Sequence, residues 1–186
     1  MIGRQLGAGE RATLLRALRD GDVLGDHSWS HPDLTRTRGV RAQLLSTLAA
    51  IRAQTGYTPC VMRPPYGAYD SGIVHTAGTL GLTTVLWNVD PRDWARPGVK
   101  AIVATALAQV RPGSIIISHD GGGPRAQTLA AYPRIIAALR RRGYRIVTIP
   151  ELLGLRPVYV PCEKLCDRLG RPRSALPRGA IVERAP

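Results

Sequence analysis

No stretch of this 186-residue sequence is long and apolar enough to cross a bilayer; the run around Ile115 to Ile117 falls far short of the roughly 20 residues that a spanning helix requires. Met1 to Glu10 lacks the basic start, apolar stretch and small-residue cleavage site of a signal peptide. Cysteine is scarce. Cys60 stands alone, while Cys162 and Cys166, four apart, are either a local disulfide in an oxidising compartment or two free thiols on one helical turn. With no second cysteine pair, a structural zinc site is not expected. Acidic residues are few as well, 13 against 26 lysines and arginines, for a net charge of +13. Nearly all the basic residues are arginines scattered over many segments, clustering only at Arg140, Arg141 and Arg142. Neither an aromatic-rich single-strand platform nor zinc-finger spacing accompanies them. A solvated arginine-rich surface accounts best for this charge and an anionic cell-wall polymer comes next; no nucleic-acid partner is expected.

What is present is a core. A hydrophobic content of 44% suits one compact domain and argues against disorder. Apolar residues recur at helical spacing in Leu14, Leu15 and Leu18; in Leu44, Leu45, Leu48 and Ile51; in Ile73, Val74, Ala77 and Leu80; in Val99 to Val110; and in Leu129, Tyr132, Ile135, Ile136 and Leu139, with Gly143 closing the last helix. Between them, Cys60–Met62, Thr83–Trp87, Ser114–Ser118 and Tyr144–Ile149 read as strands, and Val23 and Leu24 as a short apolar run. The rhythm predicts an α/β fold with a parallel sheet covered by helices. His27, Arg63, Trp87 to Asp90 and His119 all fall at or just after the ends of strands, the rim where a β/α barrel carries its active site. The expected organisation is one domain over 1–155 and a Pro/Arg-rich extended tail over 156–186, with prolines at 157, 161, 172 and 177.

Four clusters carry possible chemistry. In His27-Ser28-Trp29-Ser30-His31, histidines four apart share one face of a helical turn and reach one metal ion, or are two unrelated polar residues. Arg63-Pro64-Pro65-Tyr66-Gly67 is a rigid turn with an arginine at its base. In Asp90-Pro91-Arg92-Asp93-Trp94, a carboxylate can orient a histidine and a tryptophan can floor a sugar site, or the segment is a capped loop with a core tryptophan. Ser118-His119-Asp120 places at the rim a histidine able to act as a general acid near neutral pH. The three glycines that follow lack the Gly-Lys-Ser/Thr ending of a phosphate loop.

In order and spacing, these HxxxH, RPPYG, DxxDW and HD motifs resemble the polysaccharide deacetylase family, carbohydrate esterase family four, over about residues 1 to 153. The resemblance implies a distorted β/α barrel that hydrolyses the acetamido group of N-acetylglucosamine residues in a cell-wall or chitin-like polymer, acting on a polysaccharide or oligosaccharide as a monomer. It implies that His27 and His31 bind a divalent metal, zinc foremost, with cobalt or nickel as substitutes. The backbone N–H of Tyr66 would hold the oxyanion, Arg63 and Asp93 would position the catalytic groups, and His119 would protonate the departing amine. Trp94, Ile117, Tyr66 and Pro65 would line the substrate site.

One part of the family pattern is missing. The TFDDGP-like segment ending the first strand, which supplies the catalytic base and the third metal ligand, has no counterpart here, and neither Asp26 nor Asp120 replaces it. Met1 to Arg4 resembles the family's second strand, so the barrel is expected to lack its first strand. Met1 is then an internal methionine, or the chain is a fragment. A secreted or envelope location follows for the full-length protein, and a cytoplasmic one if Met1 is the true start. The alternative is a catalytically impaired relic that binds glycan or metal.

Overall fold

The structure, a computed structural model, describes residues 1–152 and 183–184. The expected Cys162/Cys166 pairing and most of the proline-rich tail lie outside the described residues. The chain divides into two compact units, one holding residues 1–86 and the other residues 87–152 together with the strand near the C-terminus.

The first unit carries α1 (Arg11–Asp20), α2 (Val40–Thr55) and α3 (Ser71–Thr79). Helix α1 stops at Gly21, whose φ of 98° is a left-handed conformation open to glycine, and its N–H returns to the carbonyls of Ala17 and Leu18. Helix α2 ends the same way on Gly56. The buried positions of α2, Leu44, Thr47, Leu48, Ile51 and Thr55, follow helical periodicity. Leu44 and Leu48 pack with Leu34, Met62, Ile73, Ala77 and Leu82 into one core. Leu45, counted in the apolar set from its spacing, is exposed.

Strand pairing is parallel but brief. β1 (Val61–Met62) pairs with β2 (Thr83–Thr84), and Asp26 bridges Met62 on the other side of β1. Beyond Asp26, the Met1 ammonium donates to the Gly25 carbonyl at 2.8 Å, and His27 N–H donates to the Met1 carbonyl at 2.9 Å. Met1, the 25–27 segment, β1 and β2 thus lie side by side in chain order. β1 is short for a covalent reason: after Arg63, whose N–H reaches the Asp26 carbonyl, Pro64 and Pro65 have no N–H with which to extend a ladder.

In the second unit, α4 (Val99–Gln109) packs against α5 (Ala126–Arg141). Ile102, Ala106 and Val110 meet Ala131, Ile135, Leu139 and Val89 in its core. The alanines let the two backbones approach, and each fully buried Ile or Leu contributes about 1.5–3 kcal/mol. Helix α5 continues through Pro133, and Gly143, at φ 77°, follows its end. Leu129, read as part of its apolar face, is instead exposed.

Three predicted strands are corrected. Thr83–Trp87 pairs only through Thr83, Thr84 and Val85, and Ser114–Ser118 is reduced to an isolated bridge, where Val89 meets Ile116 in parallel. Tyr144–Ile149 is a strand only at β3 (Tyr144–Arg145), since Ile149 already begins a helical turn, α6 (Ile149–Leu152). β3 pairs antiparallel with β4 (Glu183–Arg184), so this part of the expected tail is a strand.

Candidate active site

The sequence-predicted residues fall into two clusters, one in each unit. In the first, His27 follows directly on the Asp26 bridge, but the HxxxH segment is not the helical turn that its spacing suggested. Ser28 and His31 both have left-handed backbones, with φ of 62° and 61°. Side-chain hydrogen bonds impose this loop. Asp26 Oδ1 accepts the Ser28 N–H at 2.7 Å, and Ser28 Oγ accepts the His31 N–H at 3.1 Å. Pro32 adds its own constraint, because a residue before proline is pushed out of the right-handed helical region.

The loop still brings the imidazoles together. His27 Nε2 and His31 Nε2 stand 3.1 Å apart, with the rings in edge contact. His27 Nδ1 donates to the Arg63 carbonyl at 2.6 Å, which fixes its tautomer and leaves Nε2 unprotonated, an acceptor for His31 Nε2. Burial pushes the His27 imidazole down to about 4, so the ring is neutral at pH 7, as a metal ligand must be. Two nitrogens 3.1 Å apart lie close to the separation of about 3.3 Å expected of two imidazoles on one tetrahedral zinc ion, so the pair fits such an ion. Among the described residues, no group of three or more His, Cys, Asp or Glu side chains is placed to hold a metal. Asp26 is fully buried and its Oδ2 has no hydrogen-bond partner among the described residues. Burial pushes its carboxyl up to about 7, against the opposing pull of the Ser28 N–H and the Met1 ammonium.

Around this pair, Pro65–Gly67 forms a short 3-10 turn in which Pro65 is buried and Tyr66 is left-handed at φ 58°. The Tyr66 ring meets the His31 ring edge-on at 4.7 Å and is 70% exposed, so it offers an aromatic face to solvent beside the histidines. Two supports were not legible in the sequence. Gln43 of α2 accepts both the Ser30 N–H, at 2.9 Å, and the Ser30 hydroxyl, at 3.2 Å, tying down the middle of the histidine loop. Gly3 lies beneath Trp29, where an added Cβ would come within 2.5 Å of the indole and 2.7 Å of Thr47 Oγ1.

The second cluster is built on Asp93, which is completely buried. Its Oδ1 accepts from His119 Nδ1 at 2.8 Å, and its Oδ2 accepts the His119 backbone N–H at 2.8 Å and the Thr128 hydroxyl at 2.9 Å. Burial alone would raise this carboxyl, but the His119 ring, the His119 N–H and Thr128 together hold it below the usual carboxylate range. With Nδ1 bonded to Asp93 and the side chain one-third exposed, His119 keeps Nε2 for another partner.

Trp94 is 48% exposed and covered on one side by the Arg92 guanidinium, 5.4 Å from the ring centre. Arg92 and Arg96, which flank its turn, both take left-handed conformations. Arg125 donates to the carbonyls of Gly121, Gly122 and Trp94, joining the glycine loop after His119 to the tryptophan turn. Ile117 is buried, its N–H on the Val89 carbonyl and its own carbonyl accepting from the Tyr132 hydroxyl.

The family model described as polysaccharide deacetylase matches residues 1–85. A chitooligosaccharide deacetylase from Bradyrhizobium is 38% identical over 159 residues, covering 78% of this chain and 73% of the relative. The chain belongs to the polysaccharide deacetylase family. Among solved structures, the peptidoglycan deacetylase PdaC of Bacillus subtilis superposes with a TM-score of 0.73 at 31% identity, covering 90% of this chain and 77% of that one. A CE4 family pseudoenzyme from Bacillus anthracis superposes at 0.74 with 27% identity, covering 81% of this chain. This chain spans 53% of the length of that pseudoenzyme. The α/β fold expected from the motif order is the deacetylase fold that these relatives share.

Proposed function

We propose that this chain is a metal-dependent deacetylase that removes acetyl groups from N-acetylglucosamine residues of a chitin-like or peptidoglycan polymer in the cell envelope. The observation that carries the reading is the convergence of two imidazole Nε2 atoms, one of them on a ring held through Nδ1 by the Arg63 carbonyl. Relatives named as chitooligosaccharide and peptidoglycan deacetylases support the substrate class. Among the described residues, no helix is long and apolar enough to cross a membrane.

In this reading His27 and His31 hold a divalent ion, zinc foremost and cobalt or nickel as substitutes. Such an ion, when bound, polarises the amide carbonyl and lowers the pKa of water. The Tyr66 N–H hydrogen-bonds the oxyanion that develops on the acetyl carbonyl. Arg63 supports the histidine site through its backbone carbonyl. A water oxygen bonds to the acetyl carbon, and His119, held through Nδ1 by Asp93, delivers a proton from Nε2 to the amine nitrogen as the C–N bond breaks, giving acetate and the free amine; no residue of this sequence is assigned as the base that takes the proton of the water. Trp94 and Tyr66 offer exposed aromatic faces to sugar rings, and Ile117 and Pro65 line the substrate site.

A second reading, a glycan- or metal-binding relic, is kept because a CE4 family pseudoenzyme is among the similar structures. Acetate release from N-acetylglucosamine oligomers with added Zn²⁺, together with calorimetric Zn²⁺ titration, separates the two. Metal-stimulated release is expected for the enzyme. Zinc binding without release selects the relic, and neither binding nor release removes the metal from both readings.

A further inference from the structure

We propose that Thr128 is a positioning residue for His119, acting through Asp93: its hydroxyl holds one carboxylate oxygen so that the other stays turned toward the imidazole Nδ1. The inference rests on the reading of His119 as the proton donor of a deacetylase and extends it to a residue outside the family motifs.

The geometry is specific to this threonine. Thr47 and Thr55, both buried on α2, give their hydroxyls to the carbonyls four residues back, Gln43 at 3.0 Å and Ile51 at 2.8 Å, the ordinary use of a helical threonine. Thr128 sits in the first turn of α5, equally buried, and its hydroxyl donates instead to Asp93 Oδ2 at 2.9 Å. Among the described residues, the donors to the carboxylate are this hydroxyl, the His119 N–H and the His119 ring.

Asp93 has no contact with water, so an ionised carboxylate there depends on those three donors. No acidic residue occupies the first turn of α5 and its N-cap residue, Arg125, makes no side-chain cap. The partial positive charge of that helix end therefore also favours an anion at Oδ2. Without the hydroxyl, the His119 backbone N–H alone would restrain Oδ2, and the carboxylate would be freer to rotate about its Cβ–Cγ bond. The other charged groups on surrounding elements are Arg92 and Arg96 beside the Asp93 turn, Asp120 after His119, Arg125 at the head of α5 and Lys100 in the first turn of α4. Arg92 lies over Trp94, and Arg125 is committed to loop carbonyls.

The test is a ¹³C-carboxyl NMR titration of Asp93, with ring ¹⁵N shifts of His119 recording the tautomer, in the full chain and in Thr128→Val and Thr128→Ser. Valine keeps the shape and removes the hydroxyl; serine keeps the hydroxyl and loses a methyl. In Thr128→Val, Asp93 is expected to bind its proton about tenfold more tightly, a midpoint about one pH unit higher, as befits loss of one charge-assisted hydrogen bond. Its His119 ring is expected to lose the uniform Nδ1–H form. Thr128→Ser is expected to titrate as the unaltered chain does. A wild-type midpoint in Thr128→Val, or an equal shift in Thr128→Ser, overturns the proposal. Should the valine variant not fold, Thr128→Ala compared with Thr128→Ser reads the same hydroxyl, and equal midpoints overturn it. The titration needs no substrate, so a chain that releases no acetate still reports on Thr128. An unshifted midpoint, in turn, leaves the deacetylase reading standing.

Discussion

The two clusters set the same side chain in different surroundings, and the difference lies in what stands behind each ring. His27 rests its Nδ1 on a backbone carbonyl, a neutral acceptor, and burial keeps the ring uncharged. His119 rests its Nδ1 on the buried carboxylate of Asp93, a charged acceptor, 2.8 Å away. The supports differ in kind too. The first cluster is held by a loop of left-handed residues and polar caps, the second by one carboxylate with three donors.

The sharpest way to break this comparison is to remove a ring. His27→Ala or His31→Ala is expected to lower Zn²⁺ affinity by roughly 100-fold or more, since one imidazole alone is a poor site. His119→Ala is expected to leave zinc content nearly intact while lowering turnover in any preparation that releases acetate. Zinc analysis after dialysis and acetate release read the two, and loss of zinc from the His119 variant would overturn the proposed separation of roles.

Asp93→Ala comes next. It leaves His119 and Thr128 without their acceptor in a dry site, and a loss of roughly 3 kcal/mol at pH 7 is expected by denaturant titration. Because the Asp93 carboxyl is held below its usual range, this contribution is present above the unfolded pKa and is lost as pH falls through the folded one. The gap between variant and parent should therefore narrow in acid.

A smaller effect concerns neighbours that titrate in opposition. His27, lowered from 6.5 to about 4, costs the fold stability as pH falls through that window. Asp26, raised from 3.8 to about 7, costs it stability as pH rises through nearly the same window. Their contributions cancel in large part, so Asp26→Asn should unmask His27: Tm is expected to climb from pH 4 to 6.5 more steeply in the variant than in the parent. Equal slopes would show that Asp26 ionises freely. Least in size, Gln43→Leu is expected to weaken zinc binding by about tenfold or less, as removal of an outer support does, without unfolding α2; calorimetry and circular dichroism check this.

The sequence made the helices legible because a helix writes its buried face at a fixed interval, as Leu44, Leu48 and Ile51 or Ile102 and Ala106 do. Leu129 and Leu45 misled because spacing says which residues share a face, not whether the next element covers it. The strands were overdrawn for a related reason: apolar runs such as Thr83–Trp87 mark burial, whereas pairing needs a neighbour with free N–H groups, and prolines after Arg63 remove them. Spacing also favoured a helical turn for His27–His31, although Asp26, Ser28 and Pro32 carried the information for the loop that formed. Motif order identified both histidine clusters. Gln43 and Thr128 stayed hidden because their partners lie 13 and 35 positions away, a distance at which no local pattern connects them.

Gly3 has a meaning for descent as well as for packing. Every missense change available to a glycine codon introduces a Cβ, and here that atom has nowhere to go between the Trp29 indole and Thr47. A gene copy released from selection on the histidine loop would accept such a change at little cost. A copy still selected for it would not. The state of this one codon among related genes therefore gives a simple genetic reading of which lineages still rely on the loop, independent of whether their ligands are present.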